Sequence, residues 1–317
     1  MDKCGVILGA GIAGALAYGY FRVQDPAVYE KSKSTSVEKH KAIMRVKSPI
    51  VGRILGCNSE KIFVTKEVYF EGQLFGSSNI MMKNLYSLKI SGSILERSIS
   101  DLRNCERYLL EETRVPALYE HEFIGVDEES CLLKFLNHAD NQILLRGYPW
   151  CISTLPMPIL LKLLNIDVGI KFKVDPIYVL RREISFDSKV NQTIYFPEAE
   201  KRVYRATLQK KLLIIESYGG YPCDGEVEVI LSCFGILEKD QKEIERKKQN
   251  YGKLVSIDDD IRKAIIMELT DKYRIYSLGR FAVWKNVRTD DLISDLKRIK
   301  EMITVSAVSA KYINKLR

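Results

Sequence analysis

The sequence predicts an α/β protein: a Rossmann-like dinucleotide-binding domain carrying an inserted domain built on an antiparallel sheet. Three observations predict it. Near the start, Gly9-Ala10-Gly11-Ile12-Ala13-Gly14 stands between a short apolar run and a helical segment. Near the end, Gly279-Arg280 marks a second strand-to-helix junction. Between them, residues 171–217 read as short strands separated by polar turns, the spacing of an antiparallel sheet.

Taken in order, residues 6–8 have the length and apolar character of a buried parallel strand. In the G-x-G-x-x-G that follows, Gly9 serves the tight turn, Gly11 the close approach of a pyrophosphate, and Gly14 the packing of helix on strand. Ile12 and Ala13 open a helix whose N-terminal amides point at that pyrophosphate. A second strand, residues 27–29, ends on Glu30, an acid placed to accept hydrogen bonds from a ribose diol. The motif alone suits NAD or FAD; its position at the extreme N-terminus favours FAD.

Residues 31–41 are polar and basic and read as a loop. Residues 48–56 form a short helix with Pro49 at its start, and residues 62–70 a strand closed by a Glu71-Gly72 turn. The spacing of Ile94, Leu95, Ile99, Leu102 and Leu109 predicts an amphipathic helix over 93–110, with Arg97, Arg103 and Arg107 on its solvated face. Residues 122–135 alternate as a hairpin around residues 127–130. A second polar turn spans 137–141, and strands follow at 143–145 and 150–154. Pro158 opens a helix over 159–164.

Four strands are then expected, at 177–181, 193–196, 203–208 and 212–216. Their turns fall at Asp187-Ser188, Pro197-Glu198 and Gln209-Lys210. Residues 227–234 suit helix or strand. Residues 238–248 read as a charged helix, 254–257 as a strand, 261–269 as a helix and 275–278 as a buried strand. A last helix starts near Thr289, which serves as its cap, with Asp290 and Asp291 as first-turn acids.

The composition narrows the class. At 317 residues the chain suits one large domain or two interleaved ones. No apolar run reaches the roughly 18 residues of a membrane-spanning helix, and glycines break the apolar N-terminal segment, so it does not read as a secretory signal. The seven cysteines are scattered without a C-x-x-C. That pattern reads as reduced thiols in a cytoplasmic protein without a zinc site. A net charge of +8 favours anionic partners: phosphate-bearing cofactors, nucleotide-linked substrates or nucleic acid. No stretch of the sequence interleaves basic and aromatic residues densely enough to mark a nucleic-acid face.

Three later segments bring a resemblance. Ile152-Ser153-Thr154-Leu155-Pro156 resembles the I-S-T-L-P strand of the FAD-dependent amine oxidase superfamily, which includes protoporphyrinogen oxidase, monoamine oxidases and UDP-galactopyranose mutase. The segment from Tyr276 through Gly279-Arg280 to Trp284 is similar to that family's C-terminal segment along the flavin. Tyr195-Phe196-Pro197 followed by Tyr204-Arg205 is similar to a feature of its mutase-like branch. The resemblance implies FAD as cofactor. It implies that Gly9, Gly11, Gly14 and Glu30 bind the ADP half, that Gly279 and Arg280 sit at the pyrophosphate and flavin, and that Thr154 lies near the cofactor. A Gly-Gly pair that many such proteins carry after the ribose acid is missing. Arg45, or the basic loop beginning at Lys31, is expected to neutralise the pyrophosphate instead. Where mutases carry an acid after the Gly-Arg bridge this chain has Arg288, with Asp290 and Asp291 slightly later, a departure that argues against a mutase active site. Asp290 is expected among the cofactor-binding residues. Residues 1–65, 120–165 and 255–317 are expected to form the FAD-binding domain. Residues 66–119 and 166–254 are expected to form a trimmed substrate domain.

Flavin chemistry asks little of side chains beyond binding and orientation, and the resemblance names no catalytic residue. The three histidines, His40, His121 and His138, read as surface. Tyr195, Tyr204 and Arg205 are the expected substrate contacts, with Trp284 and Lys285 beside the flavin. Trp284 suits stacking, and the Arg205 fork suits carboxylate or phosphate. Three functions are open: an FAD-dependent oxidase or dehydrogenase taking hydride from an amine or related substrate, a redox-neutral nucleotide-sugar mutase, and a flavoenzyme acting on a modified base in nucleic acid.

Overall fold

The computed structural model describes residues 4–34, 44–76, 79–91, 104–110 and 115–315. His40, Arg97 and Arg103 lie outside them. In chain order the elements are β1 (Val6–Leu8), α1 (Ile12–Phe21), β2 (Ala27–Tyr29), β3 (Arg45–Val46), α2 (Ile50–Leu55), β4 (Ser59–Phe70), β5 (Gln73–Gly76), α3 (Ile80–Ser91), β6 (Cys105–Leu110), β7 (His121–Val126), β8 (Leu133–Asn137), β9 (Gln142–Arg146), β10 (Cys151–Ser153) and α4 (Met157–Leu163). Then come β11 (Val174–Tyr195), β12 (Val203–Ser217), α5 (Asp224–Cys233), β13 (Gln241–Leu254), α6 (Asp259–Tyr273), β14 (Ile275–Ser277) and α7 (Leu292–Lys315). They divide into two units, 1–60 with 109–172 and 254–317, and 61–108 with 173–253.

The first unit is built on a parallel sheet of order β14-β10-β1-β2. Its register sets Ile7 between Ile152 and Val28, and Ile152 beside Tyr276. Three-residue strands this short survive because they are buried on both faces: Val6, Ile7, Cys151, Ile152 and Ile275 have no exposed surface. Apolar burial of that kind contributes roughly 1.5–3 kcal/mol per large side chain. β7, β8 and β9 form a separate antiparallel meander. Residues 109–119, expected in the inserted domain, fall in this unit. Leu110 N–H donates to the Met44 carbonyl, and Leu118 N–H to that of Val28.

In the second unit the sheet runs β12-β11-β4-β6, with β13 also pairing with β11 and β5 with β4. β11 and β12 each double back. A straight strand of the 15 residues in β12 would span roughly 50 Å. Yet its ends meet, since Tyr218 N–H donates to the Arg202 carbonyl at 3.0 Å. The reversal sits at Lys210, in the left-handed region at φ 52°. β11 follows suit: residues 178–183 pair with 212–217, residues 192–195 with 205–208, and Ser188 faces Lys210 over the bend. The four antiparallel runs wind as a Greek key, with turns where Asp187-Ser188, Pro197-Glu198 and Gln209-Lys210 place them. One face packs on α5 through Leu180, Ile194, Phe196, Leu213, Ile215, Val227 and Ile230.

Two expected helices give way to strands where the structure describes them; residues 92–103, most of the helix expected over 93–110, lie outside the described residues. Cys105–Leu110 is β6, and the charged helix over 238–248 gives way to a 3₁₀ turn at Glu238–Asp240 and then β13. β13 ends at Leu254, and residues 255–257 carry no strand. Side chains of β13 alternate between half-buried and exposed. It is a polar edge strand held by its ladder on β11, so pairing outweighs the helix propensity of its Lys and Glu residues. Residues 227–234, open between helix and strand, lie largely in α5, whose first turn holds Asp224 and Glu226. Among the described residues no helix is long and apolar enough to cross a membrane.

Candidate functional site

The site begins where β1 runs into α1. Gly9 takes φ +93°, and a Cβ there would lie 2.4 Å from Thr154 Oγ1. Thr154 is fixed against the same turn: its hydroxyl donates to the Leu8 carbonyl at 2.7 Å and its N–H to the same oxygen at 3.0 Å. Gly14 lies against the turn from the helix side, where a Cβ would stand 1.9 Å from the Gly9 carbonyl oxygen. Gly11 caps the helix in an extended conformation, φ −69° and ψ −175°. Any residue adopts that conformation, so the backbone there does not itself require glycine.

No side chain caps the N-terminus of α1, and no acid occupies its first turn. Its leading amides, with Ile12 and Ala13 at the start, keep the partial positive charge that draws a phosphate. The second junction arrives at the same turn. Gly279 follows β14 at φ +99°, and a Cβ there would lie 3.0 Å from the Ala13 Cβ. The two glycine junctions, from opposite ends of the chain, therefore flank one helix start.

Glu30 closes the other side. One carboxylate oxygen accepts the Ala10 N–H at 2.9 Å; the other accepts the Ser32 N–H at 2.9 Å and its hydroxyl at 2.5 Å. A carboxylate has about four acceptor positions, so the acid is both tied to the glycine turn and still able to receive a ribose hydroxyl. These features fit the ADP half of a dinucleotide.

The remaining cofactor candidates differ in what they do. Lys31 Nζ pairs with Glu122 at 2.5 Å on the surface, and Glu122 also meets His138 Nε2 at 2.9 Å. Arg45 is half-buried on β3, and Arg280 is half-buried with its guanidinium 4.4 Å from the Phe281 ring centroid. The Asp290 carboxylate receives the N–H groups of Lys47 and Ser48, each at 3.0 Å. It acts as a clip between the approach to α7 and the entry to α2. The cap expected at Thr289 is displaced by one residue. Thr289–Asp291 is a 3₁₀ turn whose N-cap is Arg288, and the Arg288 N–H donates to Asp291 at 2.8 Å.

Trp284, expected to stack beside the flavin, is a core residue. It is 1% exposed, packs edge-on to Phe172 at 4.9 Å, and its indole N–H donates to the Val255 carbonyl at 3.0 Å. Burying so large a ring contributes more than presenting it to a ligand, provided the N–H finds an acceptor, which it does. Lys285 is exposed beside it.

In the second unit the structure gathers Tyr195, Tyr204 and Arg205 into one cluster. Arg205 grips Glu216 through both Nε and Nη2, the latter at 2.7 Å. The Tyr204 hydroxyl donates to the same carboxylate at 3.0 Å. Burial pushes the Glu216 carboxyl up, but the Arg205 charge and these hydrogen bonds outweigh it and hold the group below the ordinary glutamate range. Lys66, inward on β4 in line with Val64 and Val68, has its pKa pushed down to about 8, chiefly by burial. The sequence reading had not picked out Tyr86, Tyr218 or Glu216. Tyr86 comes from α3 and meets the Tyr195 ring at 4.7 Å, while Tyr218 stacks on Tyr204 at 4.4 Å. The one legible signal was Glu216, a charge closing the apolar run of residues 212–215.

α3 is pinned by Lys89, whose Nζ donates to the carbonyls of Phe196, Glu198 and Val203 at 2.7–2.8 Å. Lys89→Met is expected to cost about 1–3 kcal/mol, the usual loss when hydrogen bonds from a charged group are removed. Backbone amide exchange around 196–203 should quicken; unchanged exchange there would show that Lys89 does not hold the turn.

Neither a protein-family model nor a curated protein sequence matches this chain. Solved structures match it over nearly its whole length. A reduced UDP-galactopyranose mutase superposes with a TM-score of 0.70 at 12% identity, covering 96% of this chain and 94% of the other. A putative protoporphyrinogen oxidase from Exiguobacterium sp. 255-15 gives 0.57 at 12%, covering 96% and 99%. A putrescine oxidase redesigned in its cofactor binding gives 0.59 at 9%, covering 95% and 99%. At such identities the likeness is one of fold, and the fold is the one expected from the resemblance in sequence.

Proposed function

We propose that this chain, on the fold of the FAD-dependent amine oxidase superfamily, binds FAD and works as an oxidoreductase on an amine or a related substrate. The observation that carries the reading is the meeting of Gly9, Gly14 and Gly279 around the uncapped start of α1, with Glu30 beside it. In this reading the α1 amides and Gly11 take the pyrophosphate, Glu30 takes the adenosine ribose, and Thr154, Gly279 and Arg280 line the cofactor. Arg45 supplies positive charge for the phosphates. FAD, when bound, accepts the hydride. The chain's own groups fix the cofactor and keep water from it. Tyr195 and Tyr204, expected as substrate contacts, are 7% and 2% exposed and pack inside the second unit's cluster, so this reading gives them no contact with substrate. Arg205 serves there mainly to neutralise and hold Glu216, so the reading does not require an anionic substrate.

The test is the visible spectrum of the purified protein, followed by an anaerobic screen of amines. A bound flavin that bleaches with an amine is the expected result. A protein that neither retains FAD nor binds it when it is added would sink the reading. Turnover of a nucleotide sugar with reduced flavin and no net oxidation would replace it with the mutase-like alternative.

A further inference from the structure

We propose that the β13 side of the second unit's sheet is a docking surface for single-stranded nucleic acid. The residues come from segments far apart in the sequence, which is why no dense cluster is visible there. Tyr178 of β11 meets Tyr221 edge to face at 5.1 Å. Lys248 Nζ lies 5.7 Å from the Tyr178 ring centroid, and the Arg246 guanidinium 5.5 Å from that of Tyr221. Next to them Lys253 Nζ lies 5.0 Å from Tyr204 and 5.7 Å from Tyr218. Arg202 joins through its Nη1, which donates to the Tyr221 carbonyl at 3.3 Å. Lys248 is exposed and the Arg246 side chain is 50% exposed, while Tyr178, Tyr218 and Tyr221 are half-buried.

Charge decides the kind of partner. β13 carries Lys242, Arg246, Lys247, Lys248 and Lys253 against two acids, Glu243 and Glu245. Glu245 is already held by Arg181, at 2.5 Å, and Glu243 by Arg246, at 2.7 and 3.0 Å. With both acids paired, Lys242, Lys247, Lys248 and Lys253 leave the strand with excess positive charge beside half-buried aromatic residues. Cations that follow a phosphate backbone, alternating with rings on which unpaired bases stack, are what a single strand requires; a duplex hides its base faces. This inference is independent of the cofactor reading, since none of these residues belongs to the first unit.

The experiment is fluorescence anisotropy with a labelled DNA single strand of about 12 nucleotides, titrated with the full-length protein between about 50 and 200 mM salt. Contact with three or four phosphates predicts a slope of log K on log salt of roughly −2 to −3 for a single strand. The Arg246→Gln/Lys248→Gln variant is expected to bind about tenfold more weakly with a shallower slope. Tyr221→Ala is expected to weaken binding severalfold at unchanged slope. A control pair on α6, Lys263→Gln/Lys272→Gln, should bind as the unaltered protein does. No binding at low salt, equal losses in the control pair, equal affinity for a duplex, or equal displacement by polyglutamate would each overturn the proposal. Should the double variant misfold by circular dichroism, Lys248→Gln alone and Tyr221→Ala decide.

Discussion

Gly14→Ala is expected to abolish the proposed binding of FAD. By helix propensity alone the change should help, since alanine is favoured over glycine by about 1 kcal/mol inside a helix. Packing reverses the sign. The new methyl would stand 1.9 Å from the Gly9 carbonyl oxygen and 3.0 Å from its carbon. Both are backbone atoms, and Gly9 already sits at φ +93° against Thr154, so the turn has little freedom to yield. The relief is for α1 to back away from β1, moving the amides of its first turn with it. A net loss of about 2–3 kcal/mol is expected, typical of overpacking at a rigid contact, or roughly 3–5 °C in melting temperature at this chain size. Phosphate affinity depends on where those amides point, so FAD binding should fall at least about a hundredfold, equivalent to roughly 2.7 kcal/mol. The check is flavin content after gel filtration, with the melting temperature measured alongside. Wild-type flavin content in Gly14→Ala would mean that the helix start is not where the phosphates bind.

The parts of this molecule that were legible in the sequence are those fixed by local chemistry. Gly9, Gly14 and Glu30 announce a strand, a tight turn, a helix and a second strand closed by an acid within a short span, each with a steric or hydrogen-bonding reason. The turns at Asp187-Ser188 and Gln209-Lys210 were legible for the same reason, and the structure keeps them as bends inside β11 and β12. What was hidden depends on distant partners. β13 is a strand only because β11 offers it a ladder; its lysines and glutamates alone argue for a helix. Trp284 reads as a stacking platform until Phe172 and the Val255 carbonyl are seen to enclose it. Tyr86 carries no local mark at all, since only the fold brings α3 to Tyr195.

Arg205→Met tests whether the tyrosine cluster is held by charge. The substitution keeps the aliphatic stem and removes both nitrogens that grip Glu216. Glu216 is 9% exposed, and the Tyr204 hydroxyl and the weaker pull of the Lys253 charge would then be left to face its charge. Breaking a fully buried pair costs about 3–5 kcal/mol. The Arg205 side chain is 40% exposed, so water reaches the pair, and about 2–3 kcal/mol is the expected loss. Acid separates this mechanism from simple loss of packing. In the unaltered protein the Glu216 pKa lies below its ordinary value of 4.5, because Arg205 and Tyr204 outweigh burial. The pair's stabilisation is therefore complete above that value and is lost as pH falls through the lower folded pKa. In Arg205→Met burial is left to dominate and the pKa should rise above the ordinary value. The ionised carboxylate then destabilises the fold at neutral pH, and protonation relieves it. The gap in melting temperature between the two proteins should accordingly be widest near neutrality and narrow on acidification. A gap that stays constant across that range would assign the loss to packing. Arg205→Met/Glu216→Leu supplies the second arm: removing both charges should recover much of the stability lost by removing one, whereas additive losses would deny that the two side chains act as a pair.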